Sequence, residues 1–163
     1  MFELQYITHF IYLCHFKMKN MNEEVVYEFI ENSINMAVDK LQTEQGFKPY
    51  ALTLSSLNEV LVIEKENKND DELYEDIFLH LKEEVTCKDI EVVAIVALVD
   101  IGEHFKSEHD RAIRVHIEQK DLIEEKIGGK FIYAPYQIFK VESEHKVELY
   151  QPFSMGFIAE IFK

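Results

Sequence analysis

The residues best suited to chemistry are concentrated in one stretch, HFKSEHDRAIRVHIE, at positions 104–118. Imidazole and carboxylate side chains ligate divalent metals and transfer protons. The candidate metal ligands are His104, His109, Asp110, His116 and Glu118. Together they would hold a cation whose bound water acts as the nucleophile, which predicts a metal-dependent hydrolase as one candidate function.

The same stretch has a second interpretation, as a charged hairpin that performs no reaction. Ile113, Val115 and Ile117 alternate with polar positions, which predicts a strand with one buried face. His116 and Glu118 would project from the opposite face, so they also form a candidate catalytic pair. No H-E-x-x-H, H-x-H or C-x-x-C motif accompanies these residues, and the hairpin is the interpretation we favour.

Common catalytic and cofactor-binding motifs do not occur elsewhere in the sequence. There is no G-x-S-x-G nucleophile elbow, no G-x-x-x-x-G-K-[ST] phosphate loop and no G-x-G-x-x-G dinucleotide motif. Cys14 and Cys87 are far apart and lack metal-ligand spacing, which favours unpaired thiols in a reducing cytoplasm. We therefore expect a cytoplasmic protein without a cofactor.

The charge of the chain limits the classes of partner that it can bind. Its 163 residues include 17 basic and 31 acidic side chains, for a net charge of −14. Such a surface repels nucleic-acid backbones and anionic membranes, so we expect neither as a partner. Residues 59–91 alone hold twelve acidic and four basic residues. This segment is either a solvated surface that aids solubility or a docking site for a basic protein.

Hydrophobic periodicity predicts two long helices, at 22–45 and 70–86. In the second helix, Leu73, Ile77, Leu81 and Val85 would line the side that faces the core. Acidic residues cover the rest of its surface. The candidate partner-binding residues are Glu72, Glu75, Asp76, Glu83 and Glu84.

The remaining apolar segments predict an antiparallel sheet. The continuous apolar run EVVAIVALVDI at 91–101 is expected to be a central strand buried on both faces and paired with residues 111–119. A hairpin precedes the second helix, and the short strands KFIYA, YQIFKV and KVELY follow later. Because strands and helices do not alternate regularly, we predict an α+β domain: five or six antiparallel strands with both helices on one face, in the order α-β-β-α-β-β-β-β.

Both ends of the chain carry a surplus of apolar sequence. FELQYITHFIYLCHF near the start is too short to span a bilayer, and PFSMGFIAEIF near the end must dock on the domain. Residues 1–20 also resemble an extension upstream of the original start, because Met18 and Met21 follow the apolar stretch and MNEEVVYEF, from Met21, would make a natural start. We expect a single domain over 1–163 that assembles as a homodimer, with residues 1–20 packed on the domain or on a neighbouring chain.

Three short motifs resemble a scattered group of bacterial proteins. They are GFKPYAL at 46–52, AIRVHIE at 112–118 and APY at 134–136, in a group with a GF-x-P-[FY] hairpin and an AIRV-x-[IL]E strand. The resemblance runs from about Met21 onward and implies a bacterial α+β domain of helix, hairpin, helix and meander. No activity is attached to that group, so the resemblance implies no catalytic residue.

These observations predict first a non-enzymatic acidic module that binds a basic protein, as immunity proteins or adaptor subunits do. The positive argument is the concentration of negative charge on the second helix. The alternative is the metal-dependent hydrolase with its site at 104–118.

Overall fold

The structure is a computed structural model that describes residues 22–66, 68–102, 105 and 107–163. Within these ranges the chain forms two α-helices, one short 3-10 helix at Lys120–Leu122 and a seven-stranded sheet. The helices are α1 (Glu23–Glu44) and α2 (Asp70–Cys87). The strands are β1 (Tyr50–Leu54), β2 (Val60–Glu64), β3 (Val92–Asp100), β4 (Arg111–Gln119), β5 (Gly129–Val141), β6 (Glu144–Leu149) and β7 (Phe153–Phe157).

Both helices begin at an asparagine cap. The side-chain oxygen of Asn22 accepts the backbone N–H of Glu24 at 3.0 Å, and that of Asn69 accepts the N–H of Glu72 at 3.0 Å. Such caps provide hydrogen-bond acceptors for N–H groups that have no partner within the helix. Acidic side chains in the first turn stabilise the helix further, through their attraction to the positive end of its dipole. These local signals account for the agreement with the predicted helices at 22–45 and 70–86.

The sheet is antiparallel throughout, with strand order β2-β1-β3-β4-β5-β6, and β7 also pairs with β5. The predicted α+β class is confirmed, as are the interior position of β3 and its pairing with β4. The sheet has one strand more than predicted, because the C-terminal segment adds β7. Its pairing with β5 confirms that this apolar segment docks on the domain.

KFIYA and YQIFKV, predicted as separate strands, form the single strand β5, which runs through Pro135. On one side, β5 pairs first with β7, up to Tyr133, and then with β6, from Tyr136 onward. The Pro135 carbonyl accepts Tyr150 N–H at this junction, at 2.9 Å. The N–H and C=O groups of a strand residue point to the same side of the strand. The N–H group that Pro135 lacks would therefore lie between the hydrogen bonds to β7 and those to β6, and its absence interrupts neither set.

The two helices pack on opposite faces of the sheet, so the prediction that both lie on one face is wrong. Leu52, Ala94 and Val115 belong to the core under α1, whereas Ala51 and Ile95 belong to the core under α2. Successive side chains of a strand point to opposite faces. The unbroken apolar sequence of β3 therefore requires a cover on each side, and each helix supplies one.

Some predictions fall on parts of the chain outside the described residues: the upstream extension at 1–20, Cys14 and His104. Cys87, at the end of α2, is an exposed unpaired thiol. Neither described helix has the length and apolar character needed to cross a membrane.

Candidate functional site

β4 carries two of the five predicted metal ligands, on the face that α2 covers. His116 and Glu118 point to this same face, as their spacing predicts. His116 lies opposite Ile95 and Glu118 opposite Val93, so both polar side chains enter the apolar layer beneath α2. His116 is 3% exposed and Glu118 is fully buried. The pair is thus formed, but inside the protein.

His116 connects β4 to α2 through its ring nitrogens. Its Nε2 lies 2.9 Å from Oε1 of Glu118, and its Nδ1 lies 2.7 Å from the Tyr74 hydroxyl oxygen. Because both Glu118 oxygens also accept backbone N–H groups, we assign the proton to Nε2, which leaves Nδ1 to accept from the phenol. Both nitrogens are occupied, so neither has a lone pair left for a metal.

Glu118 fastens the C-terminal segment to the sheet. Its two oxygens each accept the backbone N–H of Glu160 at 3.0 Å, and Oε2 also accepts that of Ile161 at 2.8 Å. Ile161 in turn is buried in the core under α2. Hydrogen bonds to a carboxylate are stronger than those between neutral groups, so this arrangement is a polar clamp on the backbone of residues 160–161.

Aromatic rings enclose the histidine. The ring centroids of Phe157 and Phe131 lie 4.9 and 5.0 Å from that of His116, in edge-to-face geometry, and Phe78 of α2 lies 6.1 Å away. Apolar surroundings strengthen hydrogen bonds that are made and penalise those that are missing. The enclosure therefore stabilises Tyr74, His116 and Glu118 as a structural unit, which we call the His116 cluster.

Arg114 extends the polar row along β4. Its guanidinium carbon lies 4.8 Å from the ring centroid of Tyr74 and 5.0 Å from that of Phe131, in cation–π range. Burial raises the pKa of Tyr74 to about 12, and the positive charge of Arg114 works against that rise. Tyr74 therefore remains a neutral phenol, able to donate its hydrogen bond, at neutral pH.

His109 and Asp110, the described loop residues of the predicted metal site, lie at the other end of β4. The His109 ring stacks on Tyr150, with centroids 3.6 Å apart, and the Asp110 carbonyl accepts the N–H of Ile101. A strand rises about 3.3 Å per residue, so Asp110 and His116 are separated by about 20 Å. Within the ranges described, no three His, Cys, Asp or Glu side chains are grouped closely enough to hold a metal ion.

The predicted partner-binding residues divide into two groups. Asp76 pairs with Lys68 and Glu84 with Lys88, and each lysine holds the pKa of its partner carboxyl below the usual value through the hydrogen bond. The other three are exposed and form no ion pair within the described chain; they are Glu72, Glu75 and Glu83.

We call Glu72, Glu75, Leu79 and Glu83 the acidic row. Their spacing places all four along one side of α2, away from the buried Leu73, Ile77 and Leu81. Leu79 is 50% exposed and lies one turn from a glutamate on either side. The acidic row therefore combines three glutamates that form no ion pair within the described chain with an apolar side chain at its centre.

A cleft of about 440 Å³ opens between the start of α1 and the end of β4. Its lining includes Asn22, Ser56, Glu91 and Gln119. The Gln119 side chain is buried, and its amide atoms have no hydrogen-bond partner among the described residues. This cleft lies apart from the His116 cluster, since Gln119 and His116 point to opposite faces of β4.

Sequence reasoning missed Tyr74 and Arg114. Tyr74 precedes His116 by 42 residues and lies on a different element, and no local pattern links the two. Arg114 lies within the stretch 104–118 that contains the candidate metal ligands. An arginine on the polar side of a predicted hairpin, however, gives no indication that it packs against two aromatic rings. Only the packing of α2 on β4 identifies both residues.

No protein-family model matches this sequence, and neither the curated proteins nor the solved structures include a significant match. The resemblance to the bacterial group with the AIRV-x-[IL]E strand stays a prediction.

Proposed function

We propose that this chain is a non-enzymatic protein-binding module that docks a basic partner on the acidic row of α2, in the manner of immunity proteins or adaptor subunits. The observation that supports this most directly is the exposure of three glutamates without ion-pair partners in the described chain, around a half-exposed leucine. A partner with an apolar pocket rimmed by lysine or arginine would match this pattern.

The composition of the acidic row suits an interface better than a surface that only aids solubility. Solubility requires charge but not an exposed leucine, whereas interfaces combine an apolar centre with a polar rim. Leu79 would fill the centre, and Glu75 and Glu83 would lie on either side of it. Complementary charge would mainly accelerate association, so binding should weaken as salt screens it.

The buried side of α2 supports the proposal by holding the helix in place. Tyr74 bonds to His116 beneath the helix, while Leu73, Ile77 and Leu81 pack into the core. A surface on a fixed helix loses little conformational entropy on binding, which favours affinity. In this view the His116 cluster serves the interface indirectly, by positioning α2.

The experiment compares two triple charge reversals in purified full-length chain. One carries Glu72→Lys, Glu75→Lys and Glu83→Lys; its matched control carries Glu28→Lys, Glu44→Lys and Glu144→Lys, at exposed positions away from α2. Both change the net charge equally, so a difference between them reports the site and not the total charge. Circular dichroism verifies that each variant folds.

The partner is first captured from native cells by affinity purification at low salt. Binding of the purified partner to each variant is then measured, which tests whether the acidic row is the binding site. We expect wild type and the control variant to bind the same basic protein, and the α2 variant to lose it. Leu79→Ala should weaken binding without any change of charge, by about 1 kcal/mol or more if the leucine is central. A partner bound equally well by the α2 variant would refute the proposal.

A further inference from the structure

β2 is an edge strand with an apolar surface. In the described sheet its only neighbour is β1. Val60, Leu61 and Val62 are 49%, 56% and 43% exposed, so the strand shows apolar side chains on both faces. Exposed apolar edges pair readily with other strands, and proteins usually protect them with charge, proline or a bulge. This edge has none of these within Val60–Ile63.

The hydrogen bonds to β1 define which backbone groups of β2 point outward. Ser55 N–H donates to the Glu59 carbonyl at 3.0 Å, just before the two strands pair in register. Antiparallel strands alternate between residues that bond to each other and residues that bond outward. Val60, Val62 and Glu64 therefore direct their N–H and C=O groups away from β1, toward the open edge.

We propose that β2 pairs with β2 of a second copy of this chain, antiparallel, with Val62 on the two-fold axis. In this register Val62 faces Val62, and Val60 faces Glu64 of the second copy. Every outward N–H and C=O of β2 then meets a complementary group, because each such pair exchanges both of its hydrogen bonds.

The side chains also match in this register. Glu59 of each copy faces Lys65 of the other, a pair of opposite charge, and Leu61 faces Ile63, an apolar pair. Val60 faces Glu64, whose carboxylate pairs with Lys40 of its own chain. Moving the axis to Leu61 would place Glu59 opposite Ile63, and moving it to Ile63 would place Lys65 opposite Leu61. Either shift also leaves outward groups at one end of the strand unpaired, so the axis at Val62 is favoured by both backbone and side chains.

This proposal names the surface of the predicted homodimer and does not depend on the acidic row, which lies on α2. Other occupants of the edge, such as a strand from a different protein, are outcomes of the test. The paired surface is small, so we expect a dissociation constant of about micromolar order.

The first test is a charge swap measured by sedimentation equilibrium on the full chain. Glu59→Lys and Lys65→Glu should each raise the dimer dissociation constant, by about tenfold, because each places like charges opposite one another twice per dimer. The double variant exchanges the charges and should restore the wild-type constant. A monomeric wild type, or a dimer unaffected by either single change, would overturn the proposal.

The second test is oxidative cross-linking in a Cys14→Ser, Cys87→Ser background. Val62→Cys should form a disulfide-linked dimer, because paired residues of this type lie about 5.5 Å apart between Cα atoms, within disulfide range. Leu61→Cys is the control, since Leu61 faces Ile63 and not itself. Equal cross-linking of both variants, or of neither, counts against the register.

Discussion

His116 and Glu118 bond to each other at 2.9 Å in the apolar layer beneath α2, and through this contact three separate parts of the chain meet. β4 supplies the pair, α2 supplies Tyr74, and the C-terminal segment supplies the N–H groups that Glu118 accepts. A polar group in such a place is stabilising only while its partners are present.

Glu118→Gln should lower the free energy of unfolding by about 2–4 kcal/mol. The amide keeps one acceptor oxygen but turns an NH₂ group toward backbone N–H groups that also donate. Urea denaturation gives the difference, and Glu160→Gln, whose side chain is exposed, is the control. Equal stability of both variants would mean that the carboxylate does not clamp the C-terminal segment.

Tyr74→Phe should change how stability depends on alkaline pH. The pKa of Tyr74 is raised to about 12 in the folded protein, whereas an unfolded tyrosine releases its proton near pH 10. Between these values the unfolded state loses the proton first, so rising pH destabilises the fold, by about 1.4 kcal/mol per pH unit for this residue. Below pH 10 this group contributes no pH dependence.

Denaturation of wild type and Tyr74→Phe at pH 9, 10 and 11 measures this contribution directly. The variant should be less stable at pH 9, because it lacks the hydrogen bond to His116, and should then lose less stability as the pH rises. Parallel curves for the two proteins between pH 10 and 11 would contradict the burial of the Tyr74 hydroxyl.

Gly129→Ala should destabilise the protein by about 1–3 kcal/mol through overpacking. A β-carbon at this position would lie 2.5 Å from the Phe157 ring and 3.1 Å from the Cγ atom of Glu118. Gly46→Ala is the matched control, since its β-carbon meets nothing within 4 Å. Thermal unfolding compares the stabilities of the two variants. If Gly129→Ala were as stable as the control, the Phe157 ring would have to move at no energetic cost.

Added zinc should leave the melting temperature unchanged. Both ring nitrogens of His116 are occupied, and the His109 ring stacks on Tyr150 far from Glu118. Calorimetry with stoichiometric zinc, against a sample with chelator, checks this. A zinc-dependent rise that vanishes in both His109→Ala and His116→Ala would instead support the metal-dependent hydrolase.

Local signals in the sequence were sufficient for the two helices and for most strands, but not for their arrangement. Caps at Asn22 and Asn69 and the spacing of apolar residues define the two helices, and the alternation in β4 places His116 and Glu118 on one side. The apolar sequence of β3 in fact indicated where the helices must lie. A strand buried on both faces cannot be covered from one side. The prediction that both helices lie on one face was therefore inconsistent with the apolar sequence of β3.

The character of the site was harder to predict, because burial depends on contacts between distant parts of the chain. The polar side of β4 had the pattern of a solvated face, yet α2, β7 and the C-terminal segment cover it. Histidine, glutamate and arginine at alternate positions do not reveal whether water or protein lies over them. The edge of β2 is the converse case, since its apolar residues had the pattern of a core strand and are exposed.

The clamp at Glu118 has a consequence for how this protein can vary. It binds two main-chain N–H groups, which every residue except proline provides, and makes no hydrogen bond to a side chain of residues 160 and 161. Most polar replacements at position 160 should therefore be neutral. A one-residue insertion or deletion between β7 and Glu160 would instead shift a different amide into the clamp and remove Ile161 from its buried position. Chain length, more than residue identity, is what this segment has to preserve.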